Sequence, residues 1–82
     1  MIDVLYFAWV RERIGLPKER VETSAETVRA LVDELKEREE RYAVAFADLA
    51  ALRVATDQEL VDFDAPLDGV REVAFFPPMT GG

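Results

Sequence analysis

Val28, Leu31, Val32 and Leu35 fall at i, i+3, i+4 and i+7, an apolar stripe along one side of a helix running to about Glu39. The segments around that stripe alternate with the two-residue period of strands. This combination constrains the fold more than any other feature of the 82 residues. An amphipathic helix must bury its stripe against another element, and here the partners on offer are strands. The order is strand, strand, helix, then several more strands, which predicts an α+β domain with one sheet and one main helix packed on one face.

The pattern assigns the elements in turn. Ile2 to Ala8 reads as a strand with Ile2, Val4 and Tyr6 on one face. Ala8 to Ile14 is a short turn or helical segment, and Gly15 suits its C-terminal cap. After Pro17, Lys18 to Glu22 is a second strand pairing with the first. Thr23-Ser24-Ala25-Glu26 matches a capping box for the main helix. Glu34 with Arg38, and Glu37 with Arg41, are spaced as i, i+4 ion pairs on its wet side. That charge run is a solvated flank first and a docking face second. Tyr42, Phe46 and Leu49 predict a second short helix. Leu52 to Thr56 and Glu59 to Phe63 are short strands joined near Asp57-Gln58. Ala65 to Gly69 is turn chemistry, and Glu72 to Phe76 is a last strand that Pro77 ends, because proline donates nothing to a ladder.

Strand parity sharpens this. With Ile2, Val4 and Tyr6 inward, Leu5 and Phe7 face away from the helix. Likewise Val73 and Phe75 point in while Ala74 and Phe76 point out, and Leu60 opposes Val61 and Phe63. Leu5, Phe7, Leu60 and Phe76 then form an apolar patch on the helix-free face, the mark of a protein interface unless the second short helix covers it.

Composition narrows the chemistry. With 17 acidic residues against 10 basic, the net charge is -7, which argues against binding a nucleic-acid backbone. Half the residues are apolar and a third charged, as in a globular domain. The apolar runs are too short to span a bilayer and no signal peptide precedes Asp3, so a cytoplasmic location without membrane attachment is expected. There is no Cys and no His. Thiolate nucleophiles, disulfides, zinc sites and imidazole bases are therefore excluded. Nor is there a glycine-rich phosphate loop, since the glycines stand at 15, 69, 81 and 82.

What remains is the end of the chain, Phe75-Phe76-Pro77-Pro78-Met79-Thr80-Gly81-Gly82. At average usage a terminal pair of glycines arises by chance in about one chain in two hundred. Lacking a Cβ, Gly81 and Gly82 pass through a channel that would exclude side chains. From Phe76 to Gly82 the extended reach is roughly 20 Å. Pro77-Pro78 stiffens the base of this tail besides terminating the strand. The terminal carboxyl is the best candidate for a working group.

Phe7-Ala8-Trp9-Val10-Arg11-Glu12, Phe75-Phe76-Pro77-Pro78 and Thr80-Gly81-Gly82 together resemble the small subunit of molybdopterin synthase, a ubiquitin-like sulfur-carrier family, along essentially the whole chain. The resemblance implies a β-grasp fold with a mixed sheet over residues 1–76 and an extended tail over 77–82. It implies that Gly82 is adenylated and then converted to a thiocarboxylate. It further implies an adenylyltransferase related to ubiquitin activators, which uses ATP and Mg²⁺, while this chain binds no cofactor or metal itself. The large synthase subunit would supply the catalytic residues, pair with this chain in a heterotetramer and use the sulfur to build molybdopterin from cyclic pyranopterin monophosphate. Carried over, Gly81 and Thr80 belong to the inserted tail, and Phe76, Leu60, Phe7 and Arg11 contact partners. Thr56-Asp57 departs from the family pattern, where an Asn is expected in the turn. Trp9 reads equally as a half-exposed contact or as a lid on the core. The alternatives are a carrier for thiamine thiazole or another thiolation pathway, a ubiquitin-like protein modifier, and an interaction module with an incidental tail.

Overall fold

The computed structural model describes residues 1–78. β1 (Ile2–Tyr6) runs into α1 (Ala8–Ile14), which Gly15 closes in the left-handed region at φ 90° by donating its N–H to the Arg11 carbonyl. β2 (Lys18–Val21) returns antiparallel to β1. α2 (Val28–Arg38) and α3 (Glu40–Ala45) follow, then a single 3₁₀ turn (Leu49–Ala51). β3 (Arg53–Thr56), β4 (Glu59–Val61) and β5 (Glu72–Phe76) complete the chain. The sheet order is β2-β1-β5-β3-β4, so the last strand lies at the centre. β5 is parallel to β1 and antiparallel to β3. This mixed five-stranded sheet, crossed on one face by its main helix, is the β-grasp arrangement.

Alternation decides which face is covered. Ile2, Val4, Tyr6, Val54, Val73 and Phe75 are buried beneath the α2 stripe of Val28, Leu31, Val32 and Leu35, all four of which are also buried. The other two helices join the same side, α1 through Val10 and Ile14, α3 through Tyr42 and Ala45. Phe75 is the hub. Its ring meets Phe46 edge-on at 4.9 Å and stacks near Tyr6 at 6.2 Å and Phe63 at 6.4 Å, separations that favour aromatic pairs.

A polar tie sits at one margin of this core. Tyr6 and Tyr42 both donate their hydroxyls to Glu19 Oε2, at 2.8 and 2.6 Å, so one carboxylate on β2 holds β1 and α3. Burial, and then the hydrogen bond to Glu19, pushes the Tyr42 phenol up to about 12 and raises Tyr6 further still.

Four expectations are corrected. The capping box does not form, and α2 starts a turn later with Thr27 Oγ1 accepting from the Ala30 N–H. The reason is long-range. The Glu26 carbonyl accepts from Leu67, and the Ala65 and Phe63 carbonyls accept from the Val28 and Arg29 N–H groups, so the loop caps the helix. Thr23 instead donates to Glu34 and accepts from the Ala25 N–H. Neither i, i+4 ion pair forms among the described residues. Glu34 is taken by Thr23, Arg38 reaches Glu19 at 4.0 Å, and the chain breaks at Glu39, which places Arg41 in α3 paired with Glu39. Finally β4 stops at Val61, because Phe63 has turned away to cap α2, and Leu49 falls in the 3₁₀ turn rather than in α3.

Candidate functional site

Cross-strand register lays out the helix-free face in rows. Leu60 of β4 opposes Ala55 of β3, Ala55 opposes Ala74 of β5, Ala74 adjoins Leu5 of β1, and Leu5 opposes Lys18 of β2. One row toward the exit of β5, Phe76 opposes Arg53, and the Phe7 N–H donates to the Phe75 carbonyl at 3.1 Å, which places Phe7 beside Phe76. Small alanines in the middle and bulky residues around them make a shallow trough. Phe7, Ala8, Ala74, Phe76 and Pro77 line one apolar hollow in it.

Exposure confirms that nothing in the described chain covers it. Leu60 is 69% exposed and Phe7 44%, both far above a core residue, while Leu5 and Phe76 are half-buried. α3 does not cover this face, since its Tyr42 and Ala45 are in the core on the other side. The four patch residues inferred from parity therefore do come together. The floor residue Ala55 escaped that reading, although the inward Val54 and Thr56 on either side of it carried the signal.

Local backbone geometry aims these side chains. Ala8 sits at φ 52°, in the left-handed region, where an L-residue with a Cβ is strained by roughly 1–2 kcal/mol. The chain turns there from β1 into α1, and Phe7, just before the turn, stays on the helix-free face where it lines the trough. At the other end of the sheet, Asp57 and Gln58 form the β3–β4 turn at φ 48° and 71°. Asp57 Oδ1 accepts from the Arg71 and Glu72 N–H groups at 3.1 and 3.0 Å. An aspartate thus serves where asparagine was expected, because the turn uses an acceptor oxygen and a residue tolerant of positive φ.

Arg11 is exposed on α1, at the end of the sheet where β5 exits, and is not part of the trough. It makes no ion pair with Glu12. Trp9 packs on the core and is half-buried, with the Arg13 guanidinium 4.5 Å above its ring. Thr80, Gly81 and Gly82 lie outside the described residues. Among the described residues no helix is long and apolar enough to cross a membrane.

The family model described as the ThiS family matches residues 4–82. The chain belongs to the ThiS family. It is 46% identical to the molybdopterin synthase sulfur carrier subunit of Escherichia coli (strain K12), over 100% of both chains. It is 35% identical to the protein of the same name from Haemophilus influenzae (strain ATCC 51907 / DSM 11121 / KW20 / Rd), again over the full length of each. Among solved structures it resembles SAMP1 from Haloferax volcanii with a TM-score of 0.77 and 23% identity, covering 99% of this chain and 98% of that one. At that identity the likeness supports the fold alone, and it agrees with the β-grasp topology.

Proposed function

We propose that this chain is the sulfur carrier subunit of molybdopterin synthase, acting in molybdenum cofactor biosynthesis in the cytoplasm. The observation that carries the reading is the 46% identity to such a subunit without a gap in coverage at either end. Residues 1–76 are the β-grasp body and residues 77–82 the tail it presents.

The chemistry follows from the terminus. A C-terminal carboxylate has a pKa near 3.5, so at neutral pH it is ionised and a poor electrophile. Activation comes from outside: an adenylyltransferase of the ubiquitin-activating kind binds ATP and Mg²⁺. A Gly82 carboxylate oxygen attacks the α-phosphate, pyrophosphate leaves, and a sulfur nucleophile then displaces AMP at the acyl carbon to give the thiocarboxylate. Gly81 and Thr80 keep the tail slim enough for entry into the large subunit. There the thiocarboxylate sulfur bonds to a carbon of cyclic pyranopterin monophosphate, and water then cleaves the acyl–sulfur bond, so the sulfur stays on the pterin and Gly82 regains its carboxylate oxygen. A chain without Cys or His has no imidazole base or thiolate nucleophile of its own for this work, which agrees with acid–base groups residing in the large subunit of a heterotetramer.

The trough supports the same reading. Phe7, Leu60 and Phe76 present an apolar surface beside the point where the tail leaves the sheet, so a partner that grips it also receives the terminus. Arg11 contacts the partner from the adjacent rim.

The test is an intact mass after incubation with the adenylating enzyme, ATP and a sulfur donor. The expected product has one oxygen replaced by sulfur, and it converts the pterin precursor when the large subunit is added. An unchanged mass would leave only an interaction module. Sulfur loading without conversion of the precursor would point to thiamine thiazole or another thiolation pathway. Lysine conjugates in cells would indicate a protein modifier.

A further inference from the structure

Two cations flank the trough, one on each side. Lys18 ends the row that runs Leu60, Ala55, Ala74, Leu5, and Arg53 stands opposite Phe76. Both are exposed, and neither has a carboxylate within 4 Å among the described residues, unlike Arg20, Arg29, Arg38 and Arg41, which are each paired. Arg53 is held in place from behind, with Nη1 donating to the Leu52 and Ala50 carbonyls. Arg11 and Arg13 of α1 add two more cations at this end.

The acids nearby offset them only in part. Asp62, which lines the same hollow as Arg53, and Asp48 keep their negative charge while accepting from the Asp64 and Ala50 N–H groups, and Glu12 stands between Arg11 and Arg13, three acids against four cations. At the far end of the same face the balance tips the other way, with three acids, Asp3, Asp57 and Glu72, against Arg71 and the Arg20 that is bound to Asp3. On a chain of net charge -7 the end from which β5 exits is thus locally cationic. Stability does not require this arrangement, since an exposed charge without a partner contributes almost nothing to folding.

We infer that Lys18 and Arg53 orient the docking of this face, by pairing with carboxylates that border the apolar ridge of the large synthase subunit. This rests on the function proposed above. Lys18 and Arg53 stand on β2 and β3, three inter-strand steps apart and one row apart along the strands, so the matching acids lie roughly 16 Å from one another across the ridge. The acidic remainder of the carrier repels such a surface, and only the approach that presents the exit of the tail is attractive. Charge at an interface margin acts mainly on the association rate and on its dependence on salt.

The experiment measures association of the full-length carrier with the large subunit of molybdopterin synthase by stopped flow across a range of NaCl concentrations. The native rate constant falls as salt rises, and the double variant Lys18→Glu/Arg53→Glu is slowed about tenfold or more at low salt, converging with the native chain at high salt. Lys36→Glu, on α2, stays within about twofold of native. Should the double reversal also lower the melting temperature, Lys18→Gln/Arg53→Gln serves instead and shows a smaller loss with the same convergence. A native rate indifferent to salt, or a double variant as fast as native, overturns the inference while leaving the carrier function standing. Absence of any association by the native chain overturns both.

Discussion

On the proposed function, Phe76 occupies a position where a single side chain is expected to decide binding more than folding. It is half-buried, opposite Arg53 and against Phe7 and Pro77, on the face away from the core hub Phe75. Large aromatics at the centre of an interface are the usual hot spots. Phe76→Ala is expected to weaken binding to the large subunit by about 2 kcal/mol or more, measured by titration calorimetry. Unchanged affinity would remove Phe76 from the interface. Gln58 poses the opposite case, a residue whose cost is borne in the fold. At φ 71° it occupies a turn position that favours glycine. Gln58→Gly relieves the left-handed strain but adds chain entropy to the unfolded state, so the net gain is about 0.5 kcal/mol, visible as a higher urea midpoint. Asp57→Ala moves the midpoint the other way, because it strips the acceptor from two backbone N–H groups. The turn itself was legible at Asp57-Gln58, but the service Asp57 renders to residues 71 and 72 was not, since nothing local links them.

At the scale of elements, Glu19 is the contact that joins the most. It fastens the edge strand β2 to β1 through Tyr6 and to α3 through Tyr42. Glu19→Ala leaves two buried hydroxyls without their acceptor and is expected to cost about 2–4 kcal/mol by urea denaturation. The same tie makes stability depend on alkaline pH. Tyr42 titrates at about 12 rather than its ordinary 10.0 because burial and the Glu19 carboxylate both disfavour the phenolate. A folded pKa raised above the unfolded one means the stabilisation is complete below pH 10 and is lost as pH climbs through about 12. The chain has two tyrosines and both are in this tie, so tyrosinate absorbance should rise together with loss of circular dichroism. Early ionisation in a still-folded chain would contradict the tie. Element types were readable beforehand because the helical stripe of α2 and the alternation of β1 and β5 are local periodicities. The start of α2 was not, because its first N–H groups are satisfied by Phe63 and Ala65, more than thirty residues away in sequence. The Glu19 tie was hidden for the same reason, since a period identifies an inward Tyr6 but not the carboxylate thirteen residues on that meets it.

For the whole molecule the decisive arrangement is that the sheet ends where the proposed chemistry starts. Every buried apolar residue among those described lies between Ile2 and Phe75, so the core closes one residue before the end of β5. The placing of β5 at the centre of the sheet, between β1 and β3, gives the tail a firm base for the insertion proposed above. If the terminal carboxyl is the working group and the body only presents it, stability and transfer are separable. Removing Gly82, or extending the chain beyond it with a tag, is then expected to abolish sulfur transfer to the pterin precursor. Because every described core residue precedes the tail, the same change is expected to shift folding by no more than about 0.5 kcal/mol. For a domain of this size that is at most about 4 °C in melting temperature. The pair of measurements discriminates in both directions. A truncated chain that still forms molybdopterin would locate the reactive group elsewhere, and a truncated chain that melts far earlier would make the tail part of the fold, so that lost transfer would report unfolding rather than a missing terminus.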